Sequence, residues 1–78
     1  MSEPASNPLS PNKLLHTKWT AANPREREKH FLVTRVLEPR VPGAAVEQVE
    51  LEAVLTKRSR VIRWRELTDP SVWVQGWV

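Results

Sequence analysis

Val46-Glu47-Gln48-Val49-Glu50-Leu51-Glu52-Ala53-Val54-Leu55, continued by Thr56-Lys57-Arg58-Ser59-Arg60-Val61-Ile62-Arg63-Trp64-Arg65, is the stretch that decides the fold. In its first half Val49, Leu51, Ala53 and Leu55 share one parity, while Gln48, Glu50 and Glu52 share the other. That period of two belongs to a strand with one dry and one wet face. Residues 60–65 alternate again, with Ile62 and Trp64 on one side and Val61, Arg63 and Arg65 on the other. Two such runs joined by a few polar residues predict a hairpin. With the turn centred on Arg58-Ser59, Leu55 faces Ile62 and Ala53 faces Trp64 on the core side, while Val54 faces Arg63 and Glu52 faces Arg65 outside. A small alanine under an indole and a glutamate against an arginine agree with this register, and a slip of one residue sets apolar faces against charged ones. The turn lacks the Gly or Asn of a tight primed turn, so a four-residue loop is the other option.

Toward the N-terminus, residues 29–37 hold Phe31, Leu32, Val33, Thr34 and Val36 and read as a strand. Apolar side chains at both parities fit a strand that twists through a barrel wall. Pro39, Pro42 and Gly43 mark a loop after it. Asn23-Pro24-Arg25-Glu26 sets a cap residue before a proline, with an acid three residues after the cap, and predicts one helical turn through Glu28 or else a charged loop. Residues 13–21, with Leu14, Leu15 and Trp19, read as a first strand or an extended arm. Pro4, Pro8 and Pro11 among Ser, Asn and Ala make residues 1–11 a disordered tail, leaving 12–78 as a single small β domain. On the C-terminal side, Thr68-Asp69-Pro70-Ser71 predicts a short helical turn carrying Val72 and Trp73, and Gln75-Gly76-Trp77 a short strand or packed tail. The expected fold is all-β: a small, strongly bent antiparallel sheet or an SH3-like or Tudor-like barrel with one-turn helical connectors. The alternative is a three-stranded antiparallel sheet with one short helix.

A chain of 78 residues with four tryptophans and no cysteine must build a small core without disulfide or thiolate metal site. Each indole brings about 150–250 Å² to bury, so several idle on the surface would weaken so small a fold. The cysteine count fits a reducing compartment, and residues 1–11 lack the basic start and apolar centre of a secretory signal. A soluble cytoplasmic protein is expected, with no membrane contact.

Twelve Lys and Arg against nine Asp and Glu leave a formal charge of +3. Its distribution matters more: Lys57, Arg58, Arg60, Arg63 and Arg65 fall within nine residues that contain no acid. In the predicted register Glu52 and Glu50 neutralise the Arg65 end, and Lys57, Arg58 and Arg60 at the turn have no acidic neighbour. These five cations are the candidate surface for an anionic partner, with Trp73 and Trp77 as candidate aromatic contacts and Trp19, Phe31 and Trp64 as core aromatics. Single-stranded RNA, its phosphates on the basic run and a base stacked on Trp73 or Trp77, is the leading expectation. The alternative is a protein-interaction adaptor, or a structural subunit, docking through Trp73, Trp77 and a strand edge.

Other chemistries find little support. His16 and His30 are the only histidines, too few and too far apart in sequence for a metal motif. Glu50 and Glu52 share a strand face, yet paired carboxylates act as acid and base only in a pocket that excludes water. Gly43 and Gly76 are the only glycines, so no glycine-rich phosphate loop exists. Neither catalytic residues nor a cofactor are expected.

The strings Asn12-Lys13-Leu14-Leu15, Lys18-Trp19-Thr20-Ala21, Glu28-Lys29-His30-Phe31, Leu51-Glu52-Ala53-Val54-Leu55 and Trp64-Arg65-Glu66-Leu67, followed by Trp73 and Gly76-Trp77, resemble a family of small tryptophan-rich bacterial proteins of unknown function. The resemblance spans residues 12–77 and implies no activity, ligand or catalytic residue. Its recurrent aromatic positions correspond to Trp19, Phe31, Trp64, Trp73 and Trp77. Residues 39–45 look like a variable loop and the first eleven like an unshared tail.

Overall fold

Alternating side chains resolve into five antiparallel strands in a computed structural model that describes residues 9–78: β1 (Lys18–Arg25), β2 (Glu28–Val36), β3 (Gln48–Ala53), β4 (Ser59–Arg63) and β5 (Trp73–Gln75). They form one unclosed sheet in the order β4-β3-β2-β1-β5, so β4 and β5 are its edges. The fold is all-β. Among the described residues the only helical segments are two 3-10 turns, Pro11–Lys13 and Trp64–Thr68. The alternative of three strands and a short helix therefore falls, because residues 21–25 and 73–75 are strand.

The core lies on one face of this sheet. Trp19 faces Phe31, Phe31 faces Ala53, Val33 faces Leu51, and Trp73 faces Ala21. The small Ala53 leaves room for the Phe31 ring, which packs edge-on against Trp73 with centroids 5.0 Å apart. Leu14 and Leu67 cap the cluster from outside the strands, and both are buried. The register of β2 on β3 shifts between Val33 and Arg35, a bulge that resets the parity. That is why Val33 and Val36 both pack with the core although three residues apart.

The hairpin of β3 and β4 keeps the expected faces but not the expected partners. Ile62 faces Val49 instead of Leu55, Arg60 faces Leu51, and Glu52 faces Ser59 instead of Arg65. The loop is residues 54–57, closed by the Ala53 N–H to the Arg58 carbonyl at 2.8 Å, and Lys57 supplies its left-handed residue at φ 66°. The displacement is even, so parity survives it. Leu55, expected in the core, is 67% exposed. Trp64 leaves the strand and opens the second 3-10 turn, with its backbone N–H on Glu47 and its indole N–H on the Val46 carbonyl, both at 3.0 Å.

Of the two predicted one-turn connectors, the first is corrected and the second is present. Residues 23–25 continue β1, and Glu26 and Arg27 form a two-residue turn with φ 54° and 67°, the conformation that matches strand twist. Pro24 is tolerated because the register of β1 on β2 lapses between Thr20 and Arg25, where no ladder N–H is required. The second 3-10 turn ends on Thr68, and the turn expected on Asp69-Pro70-Ser71 follows it, with the Asp69 carboxylate accepting from the Ser71 N–H at 2.9 Å. The Asp69 carbonyl accepts from the N–H groups of Val72 and Trp73, both at 3.0 Å, a single turn that carries Val72 and delivers Trp73 into β5. Of the expected tail over 1–11, residues 1–8 lie outside the described residues; Leu9 packs against the core and Pro11 opens the first 3-10 turn. No helix among the described residues is long and apolar enough to cross a membrane.

Candidate anionic-partner surface

The five cations of residues 57–65 do not make one uniform patch, since alternation and the turn send them to different places. Arg58 stands just ahead of β4, where its guanidinium binds Glu26 and donates from Nε to Glu28 Oε2 at 2.8 Å. Thr56 Oγ1 donates to the same Glu28 oxygen at 2.6 Å. This cluster ties the β1–β2 turn to the β3–β4 loop, and it corrects the expectation that Arg58 has no acidic neighbour. The Arg58 hydrogen bond, with help from Thr56, holds the Glu28 carboxyl below its ordinary range, and Glu28 in turn raises Arg58.

The other four make no such ion pair, although Arg60 is near enough to Glu28 to help hold its carboxyl low. Among the described residues the ion pairs within 4.0 Å are those of Arg58 with Glu26 and Glu28. Arg60 faces Leu51 and so projects on the core side of the edge strand, where its guanidinium lies 5.3 Å from the Phe31 ring centre and 5.9 Å from that of Trp73. It spans the open seam between β4 and β5. Arg63 faces Gln48 on the second face. Arg65 lies over the Trp64 ring at 5.0 Å, so it shares a side with that indole and corrects the reading that set them on opposite faces. Lys57 sits at the loop. The surviving basic feature is thus an edge strand, β4, bracketed by Lys57 and Arg65.

The aromatic candidates separate completely. Trp73 is 1% exposed, with its indole N–H on Glu66 Oε2 at 3.0 Å, so it is a core residue and not a contact surface. Its replacement would test folding and not contact. Trp77 is 42% exposed and lies on the second face, 4.8 Å above the Lys18 ammonium and 5.9 Å from the His30 ring. Its indole N–H donates to the Phe31 carbonyl at 2.9 Å. Gly76, at φ 86°, makes the bend that brings it there. Thr20 latches the bend by donating to the Gly76 carbonyl at 2.6 Å and accepting from the Val78 N–H at 3.1 Å. Trp19 and Phe31 are buried in the core, and Trp64 packs half-buried against it.

Glu50, Glu52 and His30 lie within the sheet's own contacts. Glu50 accepts from Thr34 Oγ1 at 3.0 Å and Glu52 faces Leu32 and Ser59. His30 meets the Val78 oxygen at 3.0 Å, and no cluster of three potential metal ligands occurs among the described residues. A shallow groove runs between the β1–β2 turn and β4, lined by Arg25, Glu26, Glu28, Arg60, Glu66 and Trp73. Sequence reasoning missed Glu26 and Glu28 as partners of Arg58 and Lys18 as the cation under Trp77. The intervals are 30 to 59 residues, and no local pattern carries them.

Comparison with curated proteins and with solved structures finds no match. Residues 17–78 match the family described as tryptophan-rich protein (DUF2389), and with its four indoles on one small antiparallel sheet the chain belongs to that family.

Proposed function

We propose that the chain is a non-enzymatic binding module that holds an acidic protein segment along β4. The observation that carries this reading is that Lys57, Arg60, Arg63 and Arg65, on the edge strand and at its two ends, have no carboxylate within 4.0 Å among the described residues. Cations left unpaired on an edge are available to a partner in a way that Arg58 is not. The strand order, with a 3-10 turn joining β4 to β5, supports an SH3-like assignment for the fold. Fold alone assigns no function, so the argument stays with the edge. We place the module in the cytoplasm, the compartment that suits a cysteine-free chain.

The same geometry weighs against RNA. Single-strand recognition pairs a basic track with neighbouring rings on which bases stack. Here Trp73 is buried and Trp77 lies over Lys18 and His30 on β1 and β2. Two or three strand spacings of ~4.8 Å put it roughly 10–14 Å from β4. Titrating the protein with a labelled glutamate-rich peptide and with labelled single-stranded RNA, each at low and moderate salt, tests the choice. The peptide is expected to bind, to weaken as salt rises, and to lose about tenfold or more with Arg63→Glu, which is about 1.4 kcal/mol. Lys18→Gln, beneath Trp77, should leave it unchanged. RNA binding that depends on Trp77 and Lys18, with no peptide bound, would overturn the proposal.

A further inference from the structure

The ladder between β3 and β4 shows which backbone groups of the edge are in use. Ala53 donates to the Arg58 carbonyl and Trp64 donates to the Glu47 carbonyl, so the hydrogen-bonded pairs are 53 with 58 and 47 with 64. The register places Leu51 opposite Arg60 and Val49 opposite Ile62 between them. Hydrogen-bonded pairs alternate along an antiparallel ladder, so the N–H and C=O of Arg60 and Ile62 point to β3. Those of Ser59, Val61 and Arg63 therefore point away from the sheet. β4 is the last strand in the order, and no other segment among the described residues pairs with it.

We propose that this edge is a strand-addition site and that its occupant is an extended segment with the order acid, apolar, apolar, acid. The inference rests on the anionic-partner reading and adds the mode of binding. A strand laid beside β4 sets each side chain next to its counterpart on the same face. Arg60 on the core side and Arg63 on the second face each call for an acid, while Val61, 46% exposed, and the half-buried Ile62 call for apolar neighbours. The order is the same read in either direction, so it suits a parallel or an antiparallel guest. A second copy of this chain does not suit. Two β4 strands related by a two-fold axis at Val61 would set Arg60 opposite Ile62 and diagonal to its own counterpart, Arg63 opposite Ser59, and bring the cationic ends at Lys57 and Arg65 of the two copies toward each other. The arginines that invite an acidic guest also guard the edge against self-pairing.

The test uses the whole protein and a capped peptide, Ser-Glu-Val-Val-Glu-Ser, in three forms: unmodified, and N-methylated at one or the other set of alternate residues. Only one set of amides can face β4. One methylated form is expected to bind like the unmodified peptide and the other at least tenfold more weakly. Val61→Pro should weaken the unmodified peptide by a similar factor, since it removes a donor that faces away from β3, with the retained fold checked by thermal melting. Equal binding of both methylated forms and of the scrambled Ser-Glu-Glu-Val-Val-Ser, still lost in Arg63→Glu, would overturn strand addition and leave the anionic-partner reading standing. Failure of every acidic peptide to bind would overturn both.

Discussion

Glu28 stands where two hairpin tips meet, accepting from Arg58 Nε at 2.8 Å and from Thr56 Oγ1 at 2.6 Å on one carboxylate oxygen. The arrangement favours the ionised form, so the Glu28 carboxyl is held below its ordinary value. A lowered carboxyl stabilises the fold above the unfolded value of about 4.3, and that contribution is lost as pH falls through the folded value. Following the Glu28 side-chain carboxyl by NMR against pH should show it titrating below the ordinary glutamate range. Arg58→Gln should return most of the difference. A native Glu28 that titrates with the exposed glutamates would remove the cluster from the account. Asp69 shifts in the same direction because the Ser71 hydroxyl and N–H both donate to it, so acid loosens this turn as well. At this scale the sequence was a poor guide. It showed Arg58 among like charges, and the acids that satisfy it come from the other hairpin.

The face of β3 was legible and the two hairpin turns were not. The alternation of Val49, Leu51 and Ala53 is read directly from the chain, and all three are fully buried. The loop that follows depends on which residue accepts a left-handed conformation, and Lys57 does so at φ 66° with no glycine to announce it. Glu26 and Arg27 do the same at the β1–β2 turn, φ 54° and 67°, where a proline and an acid had suggested helix. Side chains with a Cβ are strained there, and glycine is not. Arg27→Gly is therefore expected to raise stability by about 0.5–1 kcal/mol, since relief of the strained φ outweighs the looser unfolded chain. For a domain of this size that is several degrees in the melting midpoint, on the order of 4–8 °C per kcal/mol. A lower midpoint would mean that the Arg27 side chain holds the turn by contacts.

Across the whole molecule the four indoles divide by depth. Trp19 and Trp73 are sealed in the core, Trp64 is half-buried beneath Arg65, and Trp77 lies across the second face with its ring open to solvent. Acrylamide quenching should therefore show a minor accessible component, which Trp77→Phe removes and Trp19→Phe does not. Equal protection of all four indoles would contradict the placement of residues 76–78 on the second face. Sequence by itself determined the all-β class, the inward face of β3, and an unusual load of tryptophan, because alternation and composition are local properties of the chain. Tertiary structure alone decided that Trp73 is core while Trp77 is surface, that Arg58 is ion-paired while Arg60, Arg63 and Arg65 have no carboxylate within 4.0 Å among the described residues, and that β4 is an edge. Each of those depends on which distant segment arrives beside a residue, and the chain's local pattern does not encode that choice: burial and pairing are settled only when the strands assemble in the order β4-β3-β2-β1-β5.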